Sequence, residues 1–237
     1  CGGCDELAWC NVPAIQDSQW LADQAQREHT NLPCLWLRGM MPKGPTFPAT
    51  LPEGWVRTIG TRARPEPNWP IYLDGSGGEH TADPRLRRCG WAWIQYFEGD
   101  VWGQYGALGG PQTVPRAEVQ ALHAALMALS RETPLPGPAH IHTDNKMVHD
   151  RANAILQGMQ PGGGHGDLWG PIARILAELT ADHPVHVHKV KAHADEGWLG
   201  QDIAHTCGNQ FADTWAKEGA FAALHGHPDD PGWAGCT

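Results

Sequence analysis

Hydrophobic and polar positions follow two different regimes along the chain. From Pro42 to Pro70 the residues read PKGPTFPATLPEGWVRTIGTRARPEPNWP, and the recurring prolines remove backbone donors and fix φ where helices and sheets need both. This stretch is expected to be a linker. Upstream of it, Gln16 to Arg27 has the spacing of one short helix, with no apolar set around it large enough for a core of its own. Residues 1–69 therefore read as a proline-rich extension, or the remnant of an upstream domain. The folded domain is expected at 70–224, and 225–237 as a tail.

Beyond Pro70 the periodicities become regular. Ile71 to Asp74, Cys89 to Phe97 and Val101 to Leu108 read as strands, the last two joined through Glu98-Gly99-Asp100 as a hairpin. Arg116 to Arg131 shows the 3.6-residue period of a helix, Ala139 to Thr143 a short strand, and Lys146 to Leu156 a second helix. Leu168 to Leu179 makes a third, with Pro171 expected in its first turn; His186 to Val190 is a strand, and Gly208 to Leu224 the closing helix. The order β-β-β-α-β-α-α-β-α predicts an α/β domain whose five-stranded mixed sheet is flanked by helices.

The 237 residues suffice for one good core plus an extension, and no apolar run approaches the ~20 residues of a membrane span. No basic segment followed by an apolar core opens the chain, which starts at Cys1 and reads as a piece of something longer. With 26 acidic against 17 basic side chains, the net charge of −9 argues against general affinity for polyanions. Binding to nucleic acid would have to be local. Seven scattered cysteines, an odd number, point to a reducing, intracellular setting in cytoplasm or nucleus. Cys1-Gly-Gly-Cys4, near Cys10, His29 and Cys34, is one CxxC without a second spaced pair and reads as free thiols before a zinc site. Most of the 12 tryptophans, Trp91 and Trp93 among them, read as core or sheet surface, with Trp198 and Trp215 as candidates for stacking on bases.

Four carboxylates occupy positions where composition alone would not put them. Asp74 ends an apolar strand and is followed by Gly75, a pair that usually marks a turn. Glu118 shares a stripe with Leu122, Ala125 and Leu129, so it lies on the apolar face of its helix. Asp144 follows the strand ending in Thr143, at the sheet edge where α/β folds place ligands, and Asn145 is positioned to cap the next helix. Asp213 lies on a face with Asn209, Ala212, Ala216 and Ala220, whose small side chains would let the helix approach a sheet closely. If the first and fourth strands are neighbours, the four converge, and repulsion would raise their pKa values unless a cation neutralises them. An all-oxygen ligand set selects hard ions such as Mg²⁺ or Mn²⁺, and two such ions about 4 Å apart suit phosphodiester hydrolysis.

The same segments, in the same order, resemble the type 1 ribonuclease H family: YLDGSGG its first strand, PRAEVQAL its RxE helix start, HTDNKMV its strand end with aspartate, VKAHA its histidine segment, and GNQFADTWAKEGA its closing helix. The resemblance covers about residues 70–222. It implies a ribonuclease H-like fold and endonucleolytic hydrolysis of the RNA strand of an RNA–DNA hybrid. It also implies metal ligation by Asp74, Glu118, Asp144 and Asp213 with two Mg²⁺ ions, for which Mn²⁺ substitutes, and a role for His193 in positioning water or releasing product. Gly75, Ser76, Thr113, Arg116 and Asn145 fall where the family contacts substrate. The AKEGA ending and the upstream linker resemble members carried by retroelements, which implies a reverse transcriptase domain upstream.

The chain also departs from that family. Val114 and Pro115 stand where many members carry two amides that read the RNA 2′-hydroxyl, leaving the backbone near Gly75 and Ser76 to sense it. Residues 161–166, PGGGHG, replace the basic helical handle of some bacterial members, so grip on the hybrid should be modest and salt-sensitive. Residues 194–207 form a long insertion before Asn209. An integrase-type transferase would want the order Asp, Asp, Glu, where this chain has Asp, Glu, Asp, Asp. An actin-like phosphotransferase would need a much longer chain. An inactive nucleic-acid-binding scaffold is the alternative of a different class, disfavoured because all four carboxylates are present.

Overall fold

The strand predicted from Ile71 runs two residues further than its apolar start suggested, to Ser76, and carries the whole architecture. The computed structural model describes residues 53–225 apart from 61–64, 67–68, 83–85, 98, 132–136, 161, 182 and 191–200. Six strands, β1 (Trp55–Ile59), β2 (Ile71–Ser76), β3 (Gly90–Phe97), β4 (Asp100–Ala107), β5 (Ala139–Thr143) and β6 (Val185–Lys189), form one sheet in the order β1-β4-β3-β2-β5-β6. Strands β1 to β4 pair antiparallel where they are neighbours, whereas β2–β5 and β5–β6 are parallel. The mixed sheet is as expected; the strand count is six, not five.

The additional strand lies inside the stretch read as a linker. Trp55 to Ile59 contains no proline, and its alternation of half-buried or buried with exposed residues fits a sheet edge. Between flanking prolines, five residues suffice to pair with β4, where Trp55 meets Tyr105 edge-on at 5.7 Å. The expectation of a featureless linker gave the prolines weight over the gap between them.

The helices are α1 (Val114–Ser130), α2 (Lys146–Leu156), α3 (Gly166–Leu179) and α4 (Gln201–His225). Asn145 caps α2, its side chain accepting from the backbone N–H groups of Met147 and Val148. Pro171 lies within α3, beyond the first turn, because that helix starts at Gly166, earlier than expected. The closing helix likewise begins at Gln201, so the second half of the expected insertion is a helical extension. Between α2 and α3 no helix forms among the described residues.

Two clusters of buried side chains lie on opposite faces of the sheet. Ile71, Leu73, Trp91 and Trp93 pack with α1, α2 and α3. Tyr72, Ala92, Ile94 and Tyr105 pack with Ala212 and Ala216 of α4. That second interface is made close by small residues: a Cβ on Gly90 would lie 2.2 Å from the Ala216 carbonyl oxygen, and one on Gly219 2.5 Å from the Gly106 carbonyl oxygen. The described residues belong to one unit of the chain that begins at Pro52. None of their helices is long and apolar enough to cross a membrane.

Candidate active site

Parallel pairing of β2 with β5 sets Leu73 opposite Thr143, so Asp74 and Asp144 leave neighbouring strands at one edge of the sheet. Glu118 reaches them from α1. The approach depends on Gly75, which pairs with Trp91 inside the strand and does not turn the chain as an Asp-Gly pair usually does. A Cβ there would lie 2.4 Å from the Glu118 backbone nitrogen. Glycine thus lets the first turn of α1 rest on the strand beside Asp74.

Ligand oxygens of Asp74, Glu118 and Asp144 all lie within 4.8 Å of one another. Asp74 and Glu118 are buried, and Asp144 is half-buried. Burial, followed by the neighbouring Asp144 and Asp213 carboxylates, pushes the Asp74 carboxyl up to about 7. Burial first, then Asp74 and Asp144, raises Glu118 well above the usual carboxylate range, against a hydrogen bond from Asn145 that lowers it. Oε2 of Glu118 is buried with no partner among the described residues. A buried, unpartnered carboxylate oxygen facing two further carboxylates fits a hard cation, which would supply the missing charge and ligation together.

Asp213 stands at the rim. It lies beside Asp74, whose carboxyl it helps to raise, and accepts from Lys217 Nζ at 2.7 Å, one turn along α4. It is outside the group of three oxygens but beside it, and its side chain is 39% exposed. Asn209, on the same helix face, is buried and donates from Nδ2 to Oδ2 of Asp144 at 3.3 Å. The sequence showed Asn209 on the small-residue stripe without a role; its partner was visible only once α4 had been placed against β5.

A protein-family model for RNase H matches residues 67–221. The chain belongs to the RNase H family. This is a ribonuclease H domain, and the resemblance carried by the five segments is that of a true member. Among solved structures, the RNase H domain of prototype foamy virus is 23% identical, with a TM-score of 0.50 over 67% of this chain and 97% of that one. The protease-reverse transcriptase of the same virus is 22% identical, TM-score 0.47, over 69% of this chain and 23% of that chain. RNase H1 from Halobacterium salinarum is 21% identical, TM-score 0.40, over 64% and 96%. No curated protein sequence matches the chain.

The other expected site residues of this RNase H domain distribute unevenly. Ser76 ends β2 next to Gly75, and its Oγ accepts from the Gly78 N–H at 3.2 Å. Thr113 precedes α1; its hydroxyl makes no cap bond and is buried without a partner among the described residues. Arg116 is engaged by Asp167 of α3 through both terminal nitrogens, at 2.9 and 2.5 Å. Asn145 is occupied twice, with the α2 N-terminus and with Glu118. His193 and Trp198 lie outside the described residues, as do Cys1, Cys4, the helix expected at 16–27 and the tail from 226. Trp91 and Trp93 are buried, while Trp215 packs on Tyr105 at 4.8 Å.

Proposed function

We propose that this ribonuclease H domain cuts the RNA strand of RNA–DNA hybrids by two-metal-ion hydrolysis, with Asp74, Glu118, Asp144 and Asp213 as ligands for Mg²⁺ or Mn²⁺. The observation that carries this reading is the meeting of three carboxylates within 4.8 Å in a member of the RNase H family. When bound, the metal pair supplies an activated water and charge stabilisation at the leaving oxygen.

The chain's own residues do the rest. Asp74 on β2 and Glu118 on α1 form the inner wall, and the two elements approach this closely because Gly75 has no Cβ to keep them apart. Asn145 fixes the orientation of Glu118. Asn209 does the same for Asp144. Asp213, on the exposed rim, closes the ligand set from the solvent side by releasing Lys217. His193, on the segment that resembles the family's histidine motif, is assigned the positioning of water or the release of product. Gly75 and Ser76 offer backbone groups to the 2′-hydroxyl, since Val114 and Pro115 have no amide to offer. Thr113 and Arg116 are assigned to the substrate backbone; for Arg116 this requires exchange of Asp167 for a phosphate. The domain is further assigned to an intracellular, retroelement-borne protein with a reverse transcriptase upstream, on the strength of the preceding proline-rich stretch and the missing basic handle.

Cleavage of a 5′-labelled RNA–DNA hybrid in Mg²⁺ or Mn²⁺ tests the proposal, beside Asp144→Asn and a DNA duplex. The expected result is metal-dependent cutting of the RNA strand alone, lost by about a hundred- to a thousandfold in the variant, the scale at which removal of an essential charge-stabilising group acts. Binding of hybrid by the folded chain without cutting would make it a scaffold.

A further inference from the structure

Strands β5 and β6 each carry a His-X-His alternation that the hydrolytic site does not use: His140, Ile141, His142 and His186, Val187, His188. Parallel register sets His140 opposite His186 and His142 opposite His188. Ile141 and Val187 belong to the core on the α1 side, so the four imidazoles share the opposite face. His205, from the early turns of α4, adds a fifth ring, its Nδ1 3.0 Å from the Tyr72 hydroxyl.

The rings form a continuous stack. Centroids are 5.3 Å apart for His140 and His188, 4.8 Å for His188 and His142, and 4.4 Å for His142 and His205. Nδ1 of His140 lies 3.0 Å from Nε2 of His188. Two imidazole nitrogens at that separation share a proton, and the same pair can take a cation in its place once the rings adjust. Tetrahedral Zn²⁺ with bonds of about 2.0–2.1 Å separates two ligand nitrogens by roughly 3.3 Å, so exchanging the proton for the ion requires the nitrogens to part slightly and both rings to turn their lone pairs onto one point. Within the same stack, Nδ1 of His142 is buried with no partner among the described residues, and the ring is 7% exposed. Burial and the neighbouring rings hold His140 and His188 below the usual histidine range, which keeps them in the neutral form that binds metal.

We propose that this imidazole face is a second metal site, for a borderline transition-metal dication such as Zn²⁺. His140 Nδ1 and His188 Nε2 are the ligands, exposed His186 beside them turns in as the third, and water completes the shell. Donor chemistry separates it from the carboxylate site: nitrogen ligands prefer Zn²⁺, Ni²⁺ or Cu²⁺, whereas all-oxygen ligands take Mg²⁺ or Mn²⁺. The proposal is independent of the hydrolytic reading.

The full chain, labelled with ¹⁵N and held in excess Mg²⁺ to occupy the carboxylates, would be titrated with Zn²⁺ while the imidazole ¹⁵N resonances are followed. Nδ1 of His140 and Nε2 of His188 should shift together and saturate at one equivalent. The His140→Gln/His188→Gln double variant, folded by circular dichroism, should bind Zn²⁺ roughly tenfold or more weakly at this site, with Asp74→Asn unchanged. Unmoved ring nitrogens in the wild-type chain would overturn the proposal, a result that does not depend on how any variant folds. Equal loss of the imidazole shifts in Asp74→Asn would overturn it too, by assigning the effect to the carboxylates.

Discussion

Asp74 and Glu118 are the residues at which the fold and its chemistry pull in opposite directions. Both carboxyls are raised first by burial and then by neighbouring carboxylates, Asp144 and Asp213 for Asp74, which is pushed up to about 7, and Asp74 and Asp144 for Glu118. In the unfolded chain they ionise near their ordinary values, so between about pH 4 and 7 the folded state holds more protons and stability falls as pH rises. Without divalent metal the melting temperature should therefore drop over that range, and Mg²⁺ should raise it more at pH 8 than at pH 5.5. Differential scanning calorimetry at the two pH values checks both statements. Asp74→Asn should abolish cleavage and yet melt roughly 2–4 °C above the parent at pH 8 without metal, the shift that about 1 kcal/mol produces in a domain of this size. A lower melting temperature would mean that the carboxylate does structural work. Gly75 is the complementary case. A Cβ at 2.4 Å from the Glu118 nitrogen forces α1 away from β2, so Gly75→Ala should cost about 1–3 kcal/mol in urea unfolding and reduce hybrid cleavage without removing a single carboxylate.

At the scale of elements, α2 and α4 tie site geometry to helix ends and helix faces. Asn145 is both the N-cap of α2 and a hydrogen-bond partner of Glu118. Asn145→Ala should cost about 1 kcal/mol as a lost cap and raise the Glu118 carboxyl further. Asn145→Asp should keep the cap while setting a charge against Glu118, so it should melt above Asn145→Ala and differ from it in the Mg²⁺ concentration needed for half-maximal cleavage. The position of α4 depends on contact without side chains, because Gly90 faces the backbone of Ala216 and Ala220. Most of these elements were legible from the sequence, since the stripes containing Glu118 and Asp213 have helical periods and the spans of α2 and β5 match the expected ones. The edge strand β1 was not. Five residues between prolines carry little local signal, and only the unpaired edge of β4 gives them a partner.

For the whole molecule, β1 decides where the domain starts. A chain beginning at residue 69 would leave β4 as an open edge and uncover Tyr105, so it should melt well below a chain beginning at 52 and associate more readily. Light scattering with thermal melts compares the two. The charge of −9 and the absence of a basic handle set the other expectation at this scale. Affinity for hybrid should be modest and should fall between 50 and 200 mM salt with a shallow slope in log–log form, because few phosphate contacts release few counterions. By itself the sequence pointed to the family, to the order of elements from β2 onward and to four candidate carboxylates, because periodicity and ordered short motifs are properties of neighbours along the chain. The tertiary structure decided which carboxylates meet: Asp74, Glu118 and Asp144 form the inner group, Asp213 waits at the rim with Lys217, and Asn209 joins Asp144. It also brought the two His-X-His segments into register. Those are distances between residues far apart in sequence, set by strand pairing and by how closely helices approach the sheet, and nothing in local spacing specifies them.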